Sequence, residues 1–213
     1  MSPLYFPATE RNRQPIWEIL RPRLQPGGTY LEVASGSGEH LAYFAQQPEG
    51  RQVSWIPSDP VAEHRLSIAD WCQQLPQVAR PLDIDCRQPR WQGVGEVDGM
   101  LAINMVHIAP WSACVGLFAG AARHLSVRGW LYLYGAYFCA DVHTAPSNLA
   151  FDHSLRQQNA EWGVRQLEQV SQLALEVGLV LVQRTPMPAN NLSLLFQRER
   201  DFARSLEFAC GNP

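Results

Sequence analysis

A chain of 213 residues, 46% of them hydrophobic, can bury one sizeable core, and roughly 100–200 residues per domain favours a single domain over 1–213. A net charge of −3 and a pI near 6.1 exclude the basic footprint of a nucleic-acid binder, whose pI is usually above about 9. The apolar runs fall short of the ~20 residues of a membrane helix, the opening MSPLYFPATERNRQP lacks a signal peptide's apolar core, and five scattered cysteines form no C-x-x-C pair, so the expectation is a cytoplasmic protein with reduced thiols and no metal site.

In chain order, Pro15 opens a predicted helix whose Ile16, Ile19 and Leu20 share a face, and Pro22 ends it. After Gly27-Gly28, TYLEVA reads as strand one. The glycine-bearing turn SGSGEH leads into a helix carrying Leu41 and Phe44, and QVSWIPSD is strand two, closed by Asp59-Pro60. Ile68, Trp71, Cys72 and Leu75 recur at helical spacing, PLDID is a short third strand, and DGMLAINMVH is a buried fourth. Trp111, Val115, Phe118, Ala122 and Leu125 stripe an amphipathic helix before a turn at Arg128-Gly129 and strand five, WLYLYGAYF. Val170, Leu173, Ala174 and Val177 mark another helix that stops at Gly178, and LVLVQRTPM and NLSLLFQRE follow as a hairpin joined through PANN. The tail from Arg200 to Pro213 has some helical pattern in Phe202, Leu206 and Phe208, so the core runs over about 7–198. Strand and helix in alternation predict an α/β fold: a doubly wound, mostly parallel sheet that binds ligands beyond the carboxyl ends of its strands.

Acidic residues fall at the ends of the first three predicted strands. Glu32 precedes a turn with Ala34, Gly36 and Gly38, where glycine lets the backbone pass close to a ligand. As a dinucleotide fingerprint the turn is incomplete, because Leu41 stands where a third small residue should pack, and this demotes an NAD-dependent oxidoreductase. S-adenosylmethionine has no pyrophosphate and carries an amino-acid head whose ammonium suits Glu32. Asp59 lies about 20 residues beyond the last loop glycine, the spacing of an acid that binds ribose hydroxyls, although an Asx turn before Pro60 gives the same pattern. Asp85 ends strand three, where its carboxylate can accept from an adenine amino group while the Cys86 N–H reaches a ring nitrogen; an exposed loop aspartate is the plain alternative.

Around these residues the segments PATERNRQPI, LEVASGSGEH, WIPSDP, NMVHIAPW, GLFAGAARHL, APSNLAFDHSLR and MPANNLSLLFQR follow in order. Together they resemble a class I S-adenosylmethionine-dependent methyltransferase and, more narrowly, the DUF938 family, which also holds the animal methyltransferase-like 26 proteins. The resemblance runs from about Pro7 to Arg198. It implies a seven-stranded Rossmann-like sheet whose last strand is antiparallel and inserted between strands five and six. It also implies cofactor contacts at Glu32, Ala34, Gly36, Gly38, Asp59, Asp85 and Asn104. Ala34 departs from the glycine that the wider class prefers.

Methyl transfer to a hydroxyl or protonated amine needs a base, and His107, with Asn104 at the end of strand four, is the candidate for catalysis. A lone histidine at a strand end is more often a hydrogen-bonded structural residue. Arg11 and Asn12 before the first helix, Tyr137 and Asn148 after strand five, and Asn190 between the last strands are candidates for the pocket of a small-molecule substrate. Trp111 and Trp162 read as core and not as a methyl-ammonium cage. A non-catalytic binder of S-adenosylmethionine or S-adenosylhomocysteine is the alternative reading, and the sequence is silent on oligomeric state.

Overall fold

A computed structural model describes residues 3–198 of the chain. The predicted helical pattern in the tail lies outside the described residues. Helix α1 (Pro7–Leu20) is followed by β1 (Thr29–Glu32), α2 (Glu39–Gln46), β2 (Ser54–Pro57), α3 (Ala62–Cys72), β3 (Val97–Ile103), α4 (Trp111–His124) and β4 (Leu125–Phe138). Then come α5 (Pro146–Gln158), β5 (Arg165–Gln166), α6 (Leu167–Glu176), β6 (Leu179–Met187) and β7 (Asn191–Arg198).

The main sheet has the order β2-β1-β3-β4-β7-β6, with two-residue β5 beside the end of β4. Strands β2, β1, β3 and β4 are parallel, and β7 runs antiparallel between β4 and β6. The central strands are covered on both faces, which is why they read as near-continuous apolar runs. Alternate residues supply two cores: Leu31, Met100, Leu131 and Leu133 face α4 and α6, whereas Tyr30, Leu101 and Tyr132 face α1 to α3. On the second face Tyr30 packs between Trp55 and Trp130, with ring centroids 5.6 and 5.5 Å apart.

The structure departs from the sequence expectation in several places. Helix α1 begins at Pro7, not Pro15, which lies inside it. Its buried face of Asn12, Ile16 and Leu20 has a polar residue in the stripe, and that hides the first half. The predicted third strand, PLDID, makes one isolated bridge, from Leu82 to Ser58 just past β2; a second, ahead of the segment, joins Val78 to Trp55 of β2. Pro81 between them has no N–H to offer a ladder. The fourth strand stops at Ile103, and Met105–His107 is a single 3-10 turn. On α4 the buried face is Cys114, Leu117, Phe118 and Ala121, while Val115 is exposed, so the predicted stripe was rotated. Strand β4 continues through Arg128-Gly129, where a bulge replaces the predicted turn: its pairing with β3 steps from Val97–Leu125 to Gly99–Trp130. Helix α5 has no counterpart in the prediction.

Candidate functional site

The tips of β1, β2 and β3 border a crevice of about 300 Å³. Between β1 and α2 the chain turns through three left-handed residues, Ala34 (φ 55°), Gly36 (φ 58°) and Gly38 (φ 93°). The methyl group of Ala34 makes that conformation cost roughly 1–2 kcal/mol. At Gly38 a side chain is excluded outright, since a Cβ would lie 2.7 Å from the Ile68 Cα. The loop is tied to its neighbours by the Val33 N–H donating to the Leu101 carbonyl and the Ser35 N–H to the Ser58 carbonyl, both at 2.8 Å.

Asp59 organises this edge and is 3% exposed. One of its oxygens accepts from the Gly36 N–H at 3.0 Å; the other meets the Val61 N–H at 2.9 Å and His64 Nδ1 at 3.0 Å. An ionised carboxylate has about four acceptor positions, so capacity is left on the crevice side. The Asx turn to Val61 is therefore present, alongside a place on the crevice wall. Asp85 and Cys86 lie on the same wall. Asp85 is gripped by Arg87 through Nε and Nη2 at 2.6–3.0 Å, and these bonds hold its carboxyl below the usual carboxylate range.

Glu32 is sealed beneath the loop, 2% exposed, with Oε2 lacking a partner. Burial pushes its carboxyl up to about 8, opposed by the Ser35 hydroxyl and reinforced by Asp59. Asn104 follows β3 in the left-handed region (φ 60°) and donates its N–H to the Tyr134 carbonyl at 2.8 Å. The crevice wall there is formed by Ile103 and Met105. His107 is 0% exposed and neither ring nitrogen makes a hydrogen bond. Burial, then the Arg165 cation, pushes it down to about 3. Tyr137 packs edge-on at 5.2 Å, and Gly135 leaves room for the ring, since a Cβ there would overlap Nε2. The imidazole is thus neutral and enclosed.

A second cavity, about 240 Å³, lies between the tip of β4 and the β6–β7 hairpin and brings together Tyr137, Asn148 and Asn190. Asn148 Nδ2 donates to the Asn190 carbonyl at 3.1 Å, and Asn190 Nδ2 to Ser147 Oγ at 2.9 Å, which latches α5 to the hairpin. Arg11 and Asn12 are on neither wall: Arg11 is exposed on α1, and buried Asn12 bonds His40 Nε2 at 2.7 Å.

Three further residues shape the crevice without having been legible in the sequence. Phe6 lies over Gly36 and edge-on to His64, held by its N–H donating to Glu39 Oε2 at 2.6 Å. His64 follows Asp59 by one helical turn, a relation visible only once α3 is in place. Arg165 donates to the Val106 and Ala109 carbonyls at 2.9 and 2.6 Å and covers Trp111, fixing the segment that forms the far wall. Among the described residues no cluster of His, Cys, Asp and Glu could hold a metal ion, and no helix is long and apolar enough to cross a membrane.

A mostly parallel sheet with an antiparallel strand beside the edge, a glycine loop after β1 and acids at the strand tips has the Rossmann-like methyltransferase fold. An O-methyltransferase family protein from Burkholderia thailandensis matches it with a TM-score of 0.76 at 16% identity, over 90% of this chain and 57% of that one. An O-methyltransferase family 2 protein from Planctomyces limnophilus, in complex with apigenin, matches at 0.73 and 19%, over 90% and 60%. The calicheamicin-biosynthesis methyltransferase CalO1, in its SAH-bound form, matches at 0.67 and 16%, over 90% and 55%. The chain spans a little over half the length of these structures. It belongs to the family described as Protein of unknown function (DUF938), whose model matches residues 4–198.

Proposed function

We propose that the chain is an S-adenosylmethionine-dependent methyltransferase acting on a small-molecule acceptor, in the cytoplasm. The observation that carries this reading is the crevice at the tips of β1 to β3, where buried Asp59 braces the glycine loop and keeps acceptor capacity facing the opening. The residues present fit the cofactor. Asp59 suits ribose hydroxyls, Ile84 and Met105 offer apolar faces to an adenine ring, and Asp85 with the Cys86 N–H suits its polar edge. Glu32, with an unpaired buried oxygen, gains a partner if an ammonium group is placed beside it. Bound there, the cofactor supplies an activated methyl group on a sulfonium leaving group.

This chain's own residues bind, orient and exclude water. Phe6, Val61 and Ile108 form an apolar rim, each at least 40% exposed, that a bound ligand would cover. Asn104 stands beside the crevice, where its amide can orient an acceptor. His107, enclosed and neutral, acts as a base only if the turn carrying it opens. That enclosure favours, as a second reading, a cofactor-binding regulator without turnover. An NAD-dependent oxidoreductase stays disfavoured, because fully buried Leu41 fills the position where close helix packing needs a small residue.

Calorimetry with S-adenosylhomocysteine (SAH) and with NAD, on the protein and on Asp59→Ala, tests the binding. SAH is expected to bind the protein and lose at least about tenfold in affinity on the substitution, a loss of roughly 1.4 kcal/mol; failure of SAH to bind ends the reading. Labelled cofactor with a metabolite extract then separates enzyme from regulator, since only an enzyme yields a labelled product.

A further inference from the structure

The two cavities at this sheet edge differ in chemistry. The crevice is bordered by the carboxylates Asp59 and Asp85. Among the described residues the second cavity is bordered by none, although acidic residues outnumber basic ones in the chain, 20 to 17. Its polar lining includes Arg184, His143, Thr144 and asparagine amides, set against an apolar lining that includes Val142, Met187 and Leu192. A wall with donors, a cation and no carboxylate favours an anion that carries an apolar body.

Arg184 shows which anion. Its Nη1 and Nη2 donate to the two oxygens of Asp141 at 3.0 and 2.7 Å, the side-by-side fork by which arginine recognises a carboxylate. Asp141 comes from the loop after β4 and is not itself on the cavity wall. Both partners are open to solvent, 37% and 57% exposed, and such pairs contribute little net stability, so the fork can be given up at small cost. At about 240 Å³ the cavity lies below the roughly 300–1,000 Å³ of sites for drug-sized ligands, which limits the occupant to a small molecule.

We infer that this cavity binds a small molecule bearing a carboxylate on a short apolar body, with Arg184 exchanging Asp141 for the ligand. That the occupant is the methyl acceptor rests on the methyltransferase reading; that it binds does not. The two sites lie on neighbouring strands, since Ile103 of β3 walls the crevice and pairs with Tyr134 of β4, the strand that carries Tyr137 on the second wall.

The test titrates benzoate, phenylacetate and hexanoate, each beside its primary amide, into the full chain and reads ligand NMR saturation transfer and protein amide shifts. The acids are expected to bind and the amides not. Arg184→Ala should weaken acid binding by roughly tenfold or more, whereas Asp141→Asn should strengthen it by removing the resident competitor. A pair that serves only as a clamp would make both substitutions weaken binding, and that result overturns the proposal, as does equal binding of acids and amides. Should Arg184→Ala fail to fold, the direction of the Asp141→Asn change still decides. SAH is titrated into the same samples: SAH binding without acid binding rejects the cavity assignment alone, and acid binding without SAH binding rejects the methyltransferase reading alone.

Discussion

Glu32 is the residue at which folding and the proposed cofactor binding would pull in opposite directions. Its carboxyl, ordinarily near 4.5, is raised to about 8 by burial. A group raised on folding contributes stability that is fully present below its unfolded value and is lost as pH climbs to the folded one. Glu32 should therefore subtract stability from the ligand-free protein across that window, against the opposite trend of His40 and His107, whose buried rings are held neutral, and Glu32→Gln, which cannot ionise, should remove that loss. Urea unfolding is expected to show the variant gaining on the parent by on the order of a few kcal/mol between about pH 5 and pH 8. A gap that stays constant across the window would show that Glu32 does not titrate there. At this scale the sequence made the loop glycines and the three acids visible, because turn chemistry and strand ends are local. It did not show that Asp59 faces Gly36 and His64, or that Glu32 lies under the loop, since those relations depend on strands and helices docking first.

Elements were legible in proportion to how regularly they bury apolar residues. The β6–β7 hairpin and α6, with Val170, Leu173 and Ala174 buried on one side, carry clear periodicity. Helix α5 carries almost none: its buried residues are Asn148 and Leu155, while Leu149 and Phe151 are exposed. Nor does it announce its start, because its N-cap is Ala145, with no side chain to accept a first-turn N–H. The backbone there is extended (φ −63°, ψ 136°), as an N-cap requires. Ala145→Ser should thus stabilise the protein by about 1 kcal/mol, read as a rise in the urea midpoint at unchanged slope. No gain would mean that the helix end already has its donors satisfied by other groups.

On the scale of the whole molecule, the sheet separates two cores and gathers both cavities on one edge, with the crevice at β1 to β3 and the second cavity at β4, β6 and β7. This division makes their ligands separable. A ligand that binds only the folded state stabilises it by about 2.7 kcal/mol at 100 times its Kd, worth roughly 5–10 °C for a chain of this size. SAH should raise the melting temperature by that amount in the parent and in Arg184→Ala alike, because Arg184 lies on β6, away from the crevice wall. Asp59→Asn should lose most of the shift, since an amide keeps an acceptor for only one of the Gly36 and Val61 N–H groups and turns its NH2 toward the other, which disturbs the loop as well as the proposed ribose contact. If Arg184→Ala loses the shift too, the two cavities respond as one site and the edge must close as a unit around both ligands.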